Sequence, residues 1–234
     1  MAVSPERLDH VALWVDDRDP IAEFATGHLG MHVIERTDRF TLVGSDARRG
    51  KLTLFAADGL RERGPLQHVA LRVSALAEAV RALPADLPLD RRGDREVYFD
   101  VTDELRLGLV EAPTPVEYDL DHVALLSPDP EASAQAWHLL GFHEARPRDG
   151  AVRVGLAGAY LELRHGDGAE PERPLLNHLA VLVESADELR DQAEQAGAQV
   201  ADVVDAENTY AVFVYGPDRV KLEYVEHKPS FSLV

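Results

Sequence analysis

Four histidines recur along the chain, His10, His68, His122 and His178, at spacings of 58, 54 and 56 residues. Each stands third in a near-identical stretch: LDHVALWV from Leu8, LQHVALRV from Leu66, LDHVALLS from Leu120 and LNHLAVLV from Leu176. Two glutamates, Glu162 and Glu223, occupy matching places in a second pair of recurring stretches, AYLELRHG and VKLEYVEH. Neutral imidazoles and ionised carboxylates gathered in one place are costly to bury unless a cation organises them. The chain has no cysteine, so a bound metal would take nitrogen and oxygen donors, the set preferred by Zn, Ni, Co, Mn or Fe(II).

The elements that would carry these residues follow from the pattern around them. The four histidine stretches are aliphatic and β-branched enough for strands. After each comes a polar, Ala-rich stretch with helical spacing, at 18–29, 74–83, 129–140 and 185–196. Gly30, Gly141 and Gly197 stand where three of these helices must stop. Shorter strand-like runs complete each unit, and so the chain reads as a βαβββ unit occurring four times, an α+β fold. One such unit leaves a sheet face open, and two side by side can curve those faces into a cup. The Pro-containing segment Glu111–Asp119 reads as the link between two pairs of consecutive units. The expectation is therefore two cup-shaped, open-barrel domains, 1–114 and 115–234.

Strand alternation assigns the side chains to faces. Val220, Leu222 and Tyr224 suit the helix side, which turns Lys221, Glu223 and Val225 inward. By the same logic Tyr160, Glu162 and Arg164 face the cup, as do His122 and His178 on the first strands. His122, Glu162, His178 and Glu223 are thus expected to converge in the second domain on one divalent metal ion. In the first domain the places matching the glutamates hold Thr53 and Gly108, so His10 and His68 read as remnants in a cup without carboxylates. Tyr160, Arg164, Tyr210, Phe213 and Lys221 are candidates to line the pocket.

These residues resemble the vicinal oxygen chelate superfamily, which contains glyoxalase I, methylmalonyl-CoA epimerase, bleomycin-resistance proteins and extradiol dioxygenases. The resemblance covers essentially the whole chain. It implies a metal that grips two neighbouring substrate oxygens, with Glu223 and Glu162 as ligands and bases for proton transfer through an enediolate. A glyoxalase-like lyase or isomerase is the favoured expectation. An Fe(II) ring-cleavage dioxygenase is the first alternative: its two-histidine, one-glutamate set would be overfilled by Glu162, and Phe213 stands where that pattern has a tyrosine. A bleomycin-resistance-like binding protein is the second.

Composition bounds the partners. Asp and Glu outnumber Lys and Arg by 42 to 24, for a net charge of -18, which repels nucleic-acid phosphates. No basic leader and no uninterrupted apolar stretch of membrane-spanning length is present, so the expectation is a cytoplasmic protein, monomer or homodimer, acting on a small molecule.

Overall fold

The computed structural model describes residues 4–148 and 150–234, excepting the side chain of Arg146. Each repeat folds as a strand, a helix and three further strands. The first comprises β1 (Arg7–Val15), α1 (Asp19–His28), β2 (His32–Arg36), β3 (Phe40–Asp46) and β4 (Arg49–Ala56). The second comprises β5 (Leu66–Val73), α2 (Leu76–Ala82), β6 (Asp90–Arg91), β7 (Glu96–Asp100) and β8 (Arg106–Glu111). The third has β9 (Asp119–Ser127), α3 (Pro130–Leu139), β10 (His143–Arg148), β11 (Ala151–Leu156) and β12 (Ala159–His165). The fourth has β13 (Leu176–Leu182), α4 (Ala186–Gln195), β14 (Val200–Asp205), β15 (Thr209–Tyr215) and β16 (Lys221–His227).

The helices fall where their spacing puts them, and local chemistry sets their ends. Asp129 accepts from the Ala132 amide at the start of α3, and Ser185 accepts from the Glu188 amide at the start of α4, each satisfying a donor that the first helical turn leaves free. Beyond the C-termini of α1, α3 and α4, Gly30, Gly141 and Gly197 take positive φ angles, as sequence position suggests. Each strand sends one row of side chains towards its helix. Val11, Leu13, Leu52 and Leu54 are fully buried in this way, alongside Ile21 and Ala25 of α1. Burying each large aliphatic side chain contributes about 1.5–3 kcal/mol, and the opposite row is left to form a concave face.

The pairing of the units differs from the one expected. Among the described residues there are two eight-stranded sheets, in the orders β14-β15-β16-β13-β1-β4-β3-β2 and β10-β11-β12-β9-β5-β8-β7-β6. The first unit therefore shares a sheet with the fourth, and the second with the third. Consecutive units do not pair within 1–114 and 115–234. In each sheet the two first strands run antiparallel in the same register: Ala12 opposite His178 and His10 opposite Ala180 in one, Ala70 opposite His122 and His68 opposite Ala124 in the other. All four first strands carry nearly the same residues, so either pairing satisfies the same alternation. The two crossovers between sheets run side by side and are joined at Glu62, whose amide donates to Arg173 O and whose carbonyl accepts from the Leu175 amide. Neither sheet closes into a barrel, and no helix among the described residues is long and apolar enough to cross a membrane.

The sheets grip one another where the β3–β4 turn meets the start of β9. Ser45 Oγ donates to Tyr118 O, and Arg49 pairs with Asp119 at 2.9 Å. Gly50 lies here with φ +62, and a Cβ at its position would stand 2.0 Å from Tyr118 O. Gly50→Ala combines an unfavourable backbone conformation with overpacking against a main chain that cannot yield. The variant is expected to lose more than about 2 kcal/mol of stability, read from urea denaturation; an unchanged midpoint would mean that the two sheets separate freely here.

Candidate metal centre

On the concave face of the first sheet, β1, β13 and β16 bring His10, His178 and Glu223 together. His178 Nε2 stands 2.8 Å from Glu223 Oε2 and His10 Nε2 3.2 Å from it, while the two imidazole nitrogens are 3.1 Å apart. The fold selects these atoms because each ring's other nitrogen is committed. His10 Nδ1 donates to Asp9 Oδ2 at 2.9 Å, and His178 Nδ1 donates to Asn177 Oδ1 at 3.1 Å. A ring held this way presents its Nε2 lone pair to the cup when neutral. Two lone pairs and a carboxylate oxygen then face one point, and Glu223 Oε2 is buried without a hydrogen bond of acceptable geometry.

Such a triangle needs a positive charge at its centre. Without a metal, a proton supplies it: burial alone would lower the His10 pKa, but the carboxylates of Glu223 and Asp9 outweigh burial and raise it to about 9. Burial would raise the Glu223 carboxyl, yet His178 and His10 hold it at about 2. Burial pushes His178 down. The geometry also fits a divalent ion. Metal–ligand bonds of about 2.1 Å set at right angles place neighbouring donors about 3.0 Å apart, and the observed separations of 2.8–3.2 Å bracket that value. These three residues form the only His, Asp and Glu group of this compactness among the described residues.

Behind the triangle, Asp9 is almost completely buried and is held by Lys51 Nζ at 2.8 Å, with His227 Nε2 at 3.5 Å. In front of it the cup is aromatic. Phe213 lies 5.1 Å and Phe55 6.2 Å from the His178 ring, with Trp14 and Phe40 packed on Phe55 at 5.3 and 5.6 Å between ring centres. Thr53 occupies the strand position that corresponds to Glu223 across the sheet.

The other two residues of the expected set, His122 and Glu162, lie in the second sheet. The four-ligand group of His122, Glu162, His178 and Glu223 is therefore divided between two cups. His122 Nε2 meets His68 Nε2 at 3.0 Å, and His122 Nδ1 donates to Asp121 at 2.7 Å. This repeats the arrangement at His10 and His178, but the carboxylate is diverted. Arg153 donates to Glu162 Oε2 through Nε and Nη2 at 3.1 and 2.5 Å, and Arg164 Nε and Nη2 stand 2.8 and 2.7 Å from Oε1. Both oxygens are thus occupied, and, although burial opposes it, the arginines keep the acid ionised below its usual range. Tyr160 stacks on His122 at 4.7 Å between ring centres, and the Arg153 guanidinium lies over the Tyr160 ring at 4.2 Å. Burial, then the charges of His122, Arg92, Arg106 and Arg164, lower His68 to about 2.

Of the remaining candidates, Phe213 and Lys221 face the first cup, and Tyr160 and Arg164 the second. Tyr210 instead donates its hydroxyl to Asp187 at 2.9 Å on the helix side. Sequence reasoning set aside His10, which sits in the cluster, and passed over Asp9, Asn177 and Lys51. The residue preceding each of the four histidines, Asp9, Gln67, Asp121 and Asn177, carries a side-chain oxygen, a signal present in the repeat itself.

Comparison with known proteins agrees with this architecture. The family model described as Glyoxalase/Bleomycin resistance protein/Dioxygenase superfamily matches residues 7–114 and 119–224. Among solved structures, the chain is similar to a putative dioxygenase from Bacillus subtilis, with 19% identity, a TM-score of 0.82, and coverage of 98% of this chain and 88% of that one. It is likewise similar to glyoxalase I from Zea mays, with 18% identity, a TM-score of 0.77, and coverage of 94% and 92%. At these identities the likeness concerns the fold. No curated protein sequence matches. With the family model spanning both halves of the sequence, the chain belongs to the glyoxalase/bleomycin resistance protein/dioxygenase superfamily.

Proposed function

We propose that the chain is a metal-dependent dioxygenase that opens an aromatic 1,2-diol, with His10, His178 and Glu223 as the ligands of one divalent ion. The observation that carries this reading is the three-donor triangle itself. Two histidines and one carboxylate on one side of an ion are the set found where iron(II) must keep positions open. A divalent ion held by His10, His178 and Glu223 would supply the Lewis-acid and redox chemistry for a diol and O2, and both oxygen atoms of O2 would enter the product as the ring carbon–carbon bond breaks. The protein's own part is to orient and to exclude water. Asp9 and Asn177 fix the two imidazoles, and Phe213, Phe55, Trp14 and Phe40 offer a flat apolar slot for a ring.

The expectation of a lyase or isomerase rested on a fourth ligand and a second carboxylate, and Thr53 stands there in place of an acid. One observation favours that second reading: Phe213, with no hydroxyl, faces His178. Oxygen uptake by the iron(II)-loaded protein over a panel of catechols separates the two. The dioxygenase reading expects one O2 consumed per diol, whereas conversion of a hemithioacetal without oxygen uptake would replace it with glyoxalase chemistry. A sequestering protein of the bleomycin-resistance kind would bind its ligand equally well with the metal removed.

A linked proton gives a further expectation. His10 at about 9 is protonated near neutral pH but must be neutral to bind a metal, so loading releases about one proton at pH 7. Apparent affinity should fall by up to about tenfold per pH unit from 9 towards neutrality. Titration calorimetry in buffers of different ionisation enthalpy measures the proton count directly, and a count of zero would remove His10 from the ligand set.

A further inference from the structure

The segment 228–234, which follows β16, crosses from one arm of the first sheet to the other. On the near arm Lys228 Nζ donates to Asp205 and to Ala206 O, the Lys228 amide donates to Asn208 O at 3.0 Å, and the Ser232 amide donates to Asn208 Oδ1 at 3.0 Å. On the far arm Arg48, in the turn between β3 and β4, lies over the Phe231 ring at 4.9 Å, and Val234 O accepts from His32 Nε2 of β2 at 3.2 Å. In the strand order β2 is five places from β16, which is about 24 Å in a flat sheet. From 228 to 234 the chain reaches at most about 21 Å fully extended, and it is not extended, since the Phe231 amide turns back to Lys228 O at 2.9 Å. The segment can span only a curled sheet, and it acts as a chord that ties the two arms of the cup together.

The chord covers the support of the metal cluster. His227, the last residue of β16, stacks on Phe231 at 4.1 Å between ring centres with 15° between the planes, and its Nε2 stands 3.5 Å from Asp9 Oδ1. Asp9, His227, Phe231 and Arg48 therefore each touch the next, and beneath this cover the Asp9 side chain is 1% exposed and that of His227 9%. Two atoms there, Asp9 Oδ1 and His227 Nδ1, are buried without a hydrogen bond. Water admitted at this end of the cup would satisfy both, so keeping them dry is a cost that calls for a reason. Burial holds His227 down at about 4, against the pull of Asp9 and with the help of Lys51, Arg48 and Arg7, and its ring is uncharged near neutral pH. A dry carboxylate grips its partners harder than a hydrated one, because less polar material screens it. The partner that matters is His10, whose Nδ1 donates to Asp9 Oδ2 at 2.9 Å.

We infer that Phe231 is a positioning residue for the metal centre: by closing the chord over His227 it keeps water from Asp9 and so holds His10 in place for the ion. This rests on His10 being a ligand and is independent of the reaction that the metal serves. The test is competition for Zn2+ between the protein and a chelator of known affinity near neutral pH, run on the wild type, F231A, F231W, D9N and D9N/F231A. Urea midpoints of the metal-free proteins are measured alongside. F231A should bind Zn2+ about tenfold more weakly, at the lower end of the range for residues that orient ligands, and F231W, which restores a flat ring, should recover most of the loss. D9N/F231A should bind no more weakly than D9N, because both changes act through one carboxylate. Unchanged affinity in F231A would overturn the role of Phe231, since no cover would then be needed. A loss in D9N/F231A equal to the product of the two single losses would overturn it too, by showing that the segment only steadies the fold. R48Q, which thins the cover from outside, supplies the same comparison with D9N if F231A does not fold. A wild-type protein that takes up no Zn2+ would instead overturn the metal centre, and this inference with it.

Discussion

Glu223→Ala protein should purify without its divalent ion, and Glu162→Ala protein should keep it. Replacing a ligand removes one of three donors and the charge that neutralises the ion, so metal affinity should fall by more than about 100-fold, beyond the 10- to 100-fold typical of changes one shell further out. His10→Ala and His178→Ala belong with Glu223→Ala, and His122→Ala belongs with Glu162→Ala. This division follows from the sheets: His10, His178 and Glu223 share one concave face, while His122 and Glu162 share the other. Elemental analysis and competition with a chelator read the outcome. Loss of metal in His122→Ala with retention in His10→Ala would support the grouping suggested by consecutive repeats and contradict the one described here. Asp9→Asn, which weakens the grip on His10 Nδ1, should sit between, at a 10- to 100-fold loss of about the size expected for an orienting carboxylate.

Lys51→Met should be the most destabilising of the single substitutions at this centre. Lys51 is 4% exposed and Asp9 1% exposed, and their contact is 2.8 Å. Removing one partner of a buried pair leaves the other charge uncompensated and costs about 3–5 kcal/mol. Burial would raise the Asp9 carboxyl, but Lys51, His10 and His227 together hold it well below the usual carboxylate range. The stability it contributes is therefore present above the unfolded carboxyl value and is lost as pH falls towards the depressed one. Lys51→Met should narrow that acid range as well as lower the midpoint in urea. The double variant Asp9→Asn/Lys51→Met, which removes both charges, should recover much of the loss, and additive losses would show that the pair is not coupled.

The repeat, the four helices and the inward row of each strand were legible in the sequence because they depend on local period and on glycine stops. The partnership of the repeats was not. LDHVALWV and LDHVALLS are nearly the same strand, and nothing in either stretch tells β1 to pair with β13 rather than with β5. The expected ligand set inherited that ambiguity, which is why the structure groups His178 and Glu223 with His10 and leaves His122 and Glu162 in the other sheet. The diversion of Glu162 was closer to the surface of the sequence. Counting outward from the two-residue turn at Ala157 and Gly158 pairs Leu156 with Ala159 and, three steps later, Arg153 with Glu162. A carboxylate with an arginine directly across the hairpin and another two residues along its own strand is an ion-pair partner before it is a metal ligand.

The most direct measurement is an anomalous-scattering map from crystals of the iron(II)-loaded protein, collected at the metal's absorption edge. A single peak at about 2.0–2.2 Å from His10 Nε2, His178 Nε2 and Glu223 Oε2 is the result expected. A peak beside His68 and His122, or none in either cup, would contradict it.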